Sequence, residues 1–369
     1  MRLPPPKGPI SSSLFDYMHE GPKAASSLIV RICESSNALD DADLQIALWS
    51  LYELHYRSFD DIDELWEWDP TLLAVRSKLE DVFERALRNA VIDEVAKQSP
   101  QVQANARPRD GDLASRFFEL VNEFDGPELA KRIQKDASAD QIREFLLHRS
   151  VYHLKEADPQ TWAIPRLTGL AKSALVELQF DEYGDGVAGQ THAELFAITL
   201  REAGLDSTYG AYIDEVNAST LAVNNVMSLF GLHRRNRGAA MGHLAAFEAT
   251  SSLPCRRYAA GLRRAGFSEA AAHYFDEHTE ADAVHDNSLF VLFASASSMK
   301  NHNLRPTSSS ERCAALCSTR VRPPNSSRVG TSRITMHCQF RPRMRLAPND
   351  LTCDRSDRMS QRAVSHPRG

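Results

Sequence analysis

Cysteine is scarce in the part of the chain that can fold. Four of the six cysteines, Cys313, Cys317, Cys338 and Cys353, lie near the C-terminal end, leaving only Cys33 and Cys255 in the body. A disulfide framework is therefore excluded and a reducing compartment is expected. No run approaches the roughly 18 apolar residues of a membrane span. The N-terminus, MRLPPPKGPISSS, lacks the apolar stretch of roughly 7 to 15 residues that follows the charge in a secretory signal. A soluble, cytoplasmic protein with no membrane partner is expected. Period-2 stretches of β-branched residues are also missing, which argues against sheet.

Charge is unevenly spread. Residues 289–369 carry 14 Lys and Arg against 4 Asp and Glu, while the first 288 carry 29 against 45. This basic segment is rich in Ser, Arg and Pro, has no tryptophan and no apolar period after Phe293, and reads as a disordered tail. Cys313 and Cys317 invite a zinc reading, but no matching CxxC or HxxxH pair follows. Arginine without interleaved aromatics or a folded platform gives no nucleic-acid partner. A shifted reading frame would also explain the composition.

The body reads as helix after helix, with Pro and Gly at the joints. Helices are expected at Lys23–Ser35, Asp40–Ser58, Pro70–Ala96, Gly111–Glu123, Pro127–Asp136 and Ala139–Ala157. Further ones are expected at Pro165–Glu182, Thr191–Ala203, Ala211–Leu229, Gly238–Ala249, Leu253–Ala265 and Ser268–Asp286. The fold class is all-α. The expected organisation is a disordered N-terminus (1–20), an N-terminal helical subdomain (21–97), a linker (98–110), a main bundle (111–288) and the tail.

The segment AAAHYFDEHTEADAVHDN carries the densest chemistry. His278, Asp282 and His285 stand at i, i+4 and i+7, within about 60° on a helix at about 100° per residue. Ala271, Tyr274 and Phe275 extend the same stripe, so the ligand-type residues face the core while Glu277 and Glu280 face water. Two imidazoles and a carboxylate there need coordination or hydrogen bonds to offset lost hydration. Glu182 closes the apolar face of Ala171, Ala174, Leu175 and Leu178. His192 opens the next helix above Leu195, Phe196 and Thr199, and Glu248 follows Met241, Leu244 and Ala245. Glu156 sits on a more mixed face with Phe145, Arg149, Tyr152 and His153. For any single glutamate, chance placement among so many acids explains as much as function does. Glu53 and His55, among aromatics, read as core or surface polar residues before they read as ligands. Imidazole with carboxylate and no thiolate suits iron or manganese better than structural zinc, and four carboxylates balance two divalent ions. Carboxylate-rich helical bundles are a recurring scaffold for such metal pairs.

These residues and their spacing resemble the haem-oxygenase-like diiron oxidases, the iron-containing redox enzymes. That family pattern is a Glu on one core helix, a Glu followed ten residues later by a His, an auxiliary Glu, and HxxxDxxH. Glu156, Glu182, His192, Glu248, His278, Asp282 and His285 fill all seven positions, and the resemblance covers roughly residues 111 to 288. It implies a haem-oxygenase-like bundle with two Fe(II), no haem and O2 as co-substrate. One iron would take Glu182, His192, Glu248 and His285, and the other Glu156, Glu182, His278 and Asp282, with Glu182 bridging. The chain departs from the family after Asp286, where members continue into further helical sequence.

The resemblance implies oxidation of a small organic substrate by N-oxygenation, oxidative C–C cleavage or decarboxylation, or desaturation. The sequence does not choose among these, and homodimerisation stays open. Tyr152, Tyr183, Phe196 and Phe247 are candidate cavity residues and equally candidates for plain core. Two other readings remain. His285 and Asp286 could be the HD dyad of a metal phosphohydrolase, although no later helical Asp follows. The bundle could also bind a ligand through a degenerate, non-catalytic site.

Overall fold

The computed structural model describes residues 1–21, 38–96 and 128–280, together with 320–322 and 335–337. Ten helices of eight residues or more are found among the described residues. They are α1 (Pro9–Glu20), α2 (Ala42–Glu53), α3 (Pro70–Ala96), α4 (Glu128–Lys135), α5 (Ala139–His153), α6 (Gly169–Glu182), α7 (His192–Glu202), α8 (Ala218–Leu232), α9 (Arg237–Arg264) and α10 (Glu269–Glu280). The body is an all-α bundle, as its periodicity predicts. No described helix is long and apolar enough to cross a membrane.

Several expectations need correction. The N-terminus is not disordered, because α1 buries Leu14, Phe15, Tyr17 and Met18 on one side. Asp43 fixes its first turn by accepting from the Ile10 and Ser11 amides, each at 2.8 Å. The two helices expected at Gly238–Ala249 and Leu253–Ala265 are one, α9, with Pro254 inside it. Proline removes one backbone bond, but Met241 and Leu244 before it and Tyr258 and Leu262 after it are buried, so packing on both sides carries the helix through. In the tail, where no order is expected, strands β1 (Arg320–Arg322) and β2 (Thr335–His337) pair antiparallel, Val321 opposite Met336. The helices expected at Lys23–Ser35 and Gly111–Glu123 fall outside the described residues.

The apolar residues form two cores. The first joins α1, α2 and α3 to α6, α8 and the first half of α9, through residues such as Trp49, Phe83, Leu175, Leu229 and Met241. The second joins α4, α5, α7, α10 and the second half of α9, through Ile133, Phe145, Phe196, Leu262 and Phe275. Gly261 lets α9 lie against α4, since a Cβ there would meet the Ile133 carbonyl oxygen at 2.5 Å. The long helix α9 thus belongs to both cores. Its middle, with α6 ending and α7 beginning nearby in sequence, is where the polar residues collect.

Candidate metal centre

Glu182 is the last residue of α6 and His192 the first of α7. The loop between them doubles back through Gly184, at φ 64°, where a Cβ would collide with the Gln190 carbonyl and lie 2.7 Å from the Thr191 nitrogen. Thr191 then caps α7. Its hydroxyl accepts from the Glu194 amide at 3.2 Å, and the Glu194 carboxylate accepts from Thr191 in return, a reciprocal box that fixes where His192 emerges. Glu182 Oε2 and His192 Nδ1 end 3.0 Å apart. That contact is off the line of a hydrogen bond, and His192 Nδ1 has no aligned partner among the described residues. A buried imidazole nitrogen with no aligned partner, set beside a carboxylate, is arranged as it would be around a cation.

Glu156 reaches the same place by a different route. The helix expected to run to Ala157 ends at His153, and Glu156 stands in the turn after it. Ala157 adopts a left-handed backbone, φ 75°, just before a single helical turn at Asp158–Thr161 that contains Pro159. Proline is tolerated in the first turn of that short helix, where its missing N–H has no helical partner to lose. Glu156 is buried, and the Tyr274 hydroxyl donates to its Oε2. Burial and the nearby Glu182 charge push the Glu156 carboxyl up to about 8. Burial alone would lower His192, but Glu182, with Glu156 and Glu248 beyond it, raises it to about 9.

His278 comes from α10. Its Nδ1 donates to the Tyr274 carbonyl at 2.8 Å, one helical turn back, which sets the tautomer and makes Nε2 the nitrogen with acceptor character. That Nε2 lies 3.9 Å from Glu156 Oε1, and the His192 and His278 rings are 4.4 Å apart. One ligand atom from each of Glu156, His192 and His278 fits within a 4.8 Å cluster able to hold a metal ion. Glu182 touches His192, and Glu248 lines the same small pocket from the middle of α9. Of the seven residues the sequence singles out, these five are brought together. Asp282 and His285 lie outside the described residues. Carboxylates and imidazoles without a thiolate suit a divalent iron or manganese ion, so the residues present fit a metal.

Sequence reasoning missed Tyr274 as a polar residue, because its place on the apolar stripe hid both of its bonds to the site. It missed Gln160 and Gln179 on the pocket wall altogether. Of the candidate cavity residues, Tyr152 and Phe247 line the pocket. Phe196 is core, packed on His153 and Tyr274. Tyr183 donates to Asp158 Oδ1 at 2.9 Å. Glu53 and His55 are committed elsewhere, Glu53 to Lys155 and His55 to Glu67 and Arg76.

Comparison with known proteins agrees with this chemistry. The sequence model of a family described as iron-containing redox enzyme matches residues 143–304. The match spans all seven singled-out residues and runs past Leu289, where the change of composition sets the start of the tail. A nitrosourea synthase of Streptomyces achromogenes subsp. streptozoticus is 30% identical over 151 residues, 40% of this chain. The match spans only 32% of that relative's length.

Proposed function

We propose, from the match of residues 143–304 to the iron-containing redox enzyme family, that this chain is a non-haem iron oxidase or oxygenase. It would bind two Fe(II) and use O2 to oxidise a small organic substrate. The observation that carries the reading is the convergence of Glu156, His192 and His278 within 4.8 Å, with Glu182 in contact and Glu248 on the same pocket. Bound ferrous iron would supply the electrons that reduce O2. Asp282 and His285 would complete the proposed ligand set with these five residues.

The surrounding residues prepare the site. Tyr274 holds Glu156 through its hydroxyl and His278 through its backbone carbonyl, so one residue on α10 orients two ligands. Burial, with Glu156 nearby, raises the Tyr274 hydroxyl well above its ordinary range and keeps it a donor. Leu244, Phe247 and Ala157 give the pocket an apolar side that excludes water. N-oxygenation is the reaction subtype favoured by the relative's name, since a nitrosourea synthase makes an N–N=O product.

The test is O2 uptake by anaerobically loaded protein. Consumption that requires Fe(II) and is lost in His192→Ala supports the reading. Consumption indifferent to Fe(II), or phosphoester hydrolysis without O2, contradicts it.

A further inference from the structure

Of the five residues gathered at the site, Glu156 alone does not stand on a helix. A side chain on a turn lacks the backbone ladder that fixes a helical one, so the groups around the turn must set its place. Tyr274 holds the Glu156 carboxylate from the site side. The backbone that carries it is held from the opposite end of the sequence.

In a continuing helix the Asp158 amide would donate to the Leu154 carbonyl. It donates instead to the Lys155 carbonyl at 3.2 Å, and Arg57 Nη2 takes the place on Leu154, at 2.9 Å from its carbonyl oxygen. The Arg57 guanidinium lies 4.4 Å from the centre of the Tyr209 ring, and the same Nη2 is 4.0 Å from Asp158 Oδ2. That ion pair is long and the Arg57 side chain is half exposed, so the pair contributes little by itself. The carbonyl bond and the ring fix the guanidinium. Next along the turn, Lys155 is held by Glu53, the last residue of α2, with Nζ 3.0 Å from Oε2. The Arg57 amide donates to the other Glu53 oxygen at 3.3 Å and joins the two grips. Leu154, Lys155 and Asp158 are thus contacted from the end of α2, on both sides of Glu156. Glu53 and Arg57 both precede residue 143, where the family match begins.

We infer that Glu53 and Arg57 are positioning residues for the Glu156 ligand, so that the segment ahead of the family match is a working part of the metal centre. The inference rests on the proposed function in taking Glu156 as a ligand. The hold on the turn can be read without metal.

Arg57→Met removes the guanidinium from the Leu154 carbonyl. The matched control is Arg264→Met, which removes an exposed arginine of the same kind from the Ile133 and Gln134 carbonyls at the end of α4, where no ligand stands. Co(II) is titrated into the whole chain against a chelator, and its visible absorption reports the coordination geometry. Arg57→Met is expected to bind Co(II) at least about tenfold more weakly, with altered bands. Arg264→Met should bind as the unaltered protein does, whatever its melting temperature. Glu53→Gln/Lys155→Met should weaken Co(II) as Arg57→Met does even where its stability is recovered, which a purely structural role would not produce. Normal affinity and bands in Arg57→Met or in the double variant overturn the inference, as does an equal loss in Arg264→Met. Amide hydrogen exchange on the metal-free proteins is the second measurement. Residues 154–161 are expected to exchange about tenfold faster in Arg57→Met and unchanged in Arg264→Met. Unchanged exchange there in Arg57→Met overturns the hold itself. Failure of the unaltered protein to take up Co(II), with that faster exchange present, refutes the metal reading and leaves the hold on the turn intact.

Discussion

Lys155 and Glu53, 102 residues apart in sequence, form a buried ion pair, with Nζ 3.0 Å from Oε2 and side chains 2% and 0% exposed. The ammonium lies 4.3 Å from the Tyr56 ring and 5.5 Å from Trp49. Tyr209 donates to the same carboxylate oxygen at 2.7 Å. The pair ties α2 to the turn that carries Glu156, the very next residue.

Removing one partner strands the other charge in that aromatic setting. Lys155→Met is expected to cost about 3–5 kcal/mol of stability, and the double variant Glu53→Gln/Lys155→Met to recover most of it. Urea unfolding measures both. A single-variant cost below about 1 kcal/mol would show that the pair is not desolvated as described.

The α6–α7 loop sets the contact between Glu182 and His192. Gly184→Ala meets the Gln190 carbonyl, whereas Gly189→Ala, also at positive φ (84°), meets nothing within 4 Å. The first should weaken Fe(II) binding by at least about tenfold and the second should leave it near normal, with a strain cost of about 1 kcal/mol in each. Equal affinities in the two variants would remove the loop from the account.

Tyr274 touches two proposed ligands. Tyr274→Phe keeps the ring and the backbone carbonyl but deletes the hydroxyl on Glu156. Metal affinity is expected to fall about 10- to 100-fold with little change in helical content. Competition against a chelator of known affinity checks this, and unchanged affinity would make the hydroxyl dispensable.

Much of this was legible in the sequence because helices advertise their buried face. His278 falls on the stripe of Ala271, Tyr274 and Phe275, and Glu182 on that of Leu175 and Leu178, so period alone placed them inward. Glu156 was harder, since it is not on a helix at all. The chain leaves the helix after His153 and passes through a left-handed Ala157 before Pro159 opens the next turn, and no local pattern marks where α5 stops. Continuity of α9 through Pro254 was hidden because packing from two cores outweighs one lost backbone bond, and no local pattern reports that. The glutamine wall and the Glu53–Lys155 pair depend on contacts between distant segments and leave no mark on spacing.

Two buried histidines set the acid limb of stability. Burial lowers His148 and His243 each to about 4, from the ordinary 6.5. Both resist protonation when folded and accept it when unfolded. Their contribution is complete above pH 6.5 and is lost as pH falls from 6.5 to 4, up to about 3 kcal/mol each. His243 packs beside Phe230 and Phe247, with ring centroids 6.2 Å away in each case. In metal-free protein, His243→Phe should therefore flatten the fall in Tm between pH 6.5 and 5. A parallel fall in variant and unaltered protein would refute the assignment.

Four helices and the turn that carries Glu156 bring together the proposed ligands of iron. Anaerobic Fe(II) titration of the whole chain, with and without His278→Ala, tests it most directly. The account predicts two Fe(II) per chain in the unaltered protein and loss of at least one in the variant. No tight Fe(II) binding, or the same stoichiometry and affinity in both proteins, would contradict it.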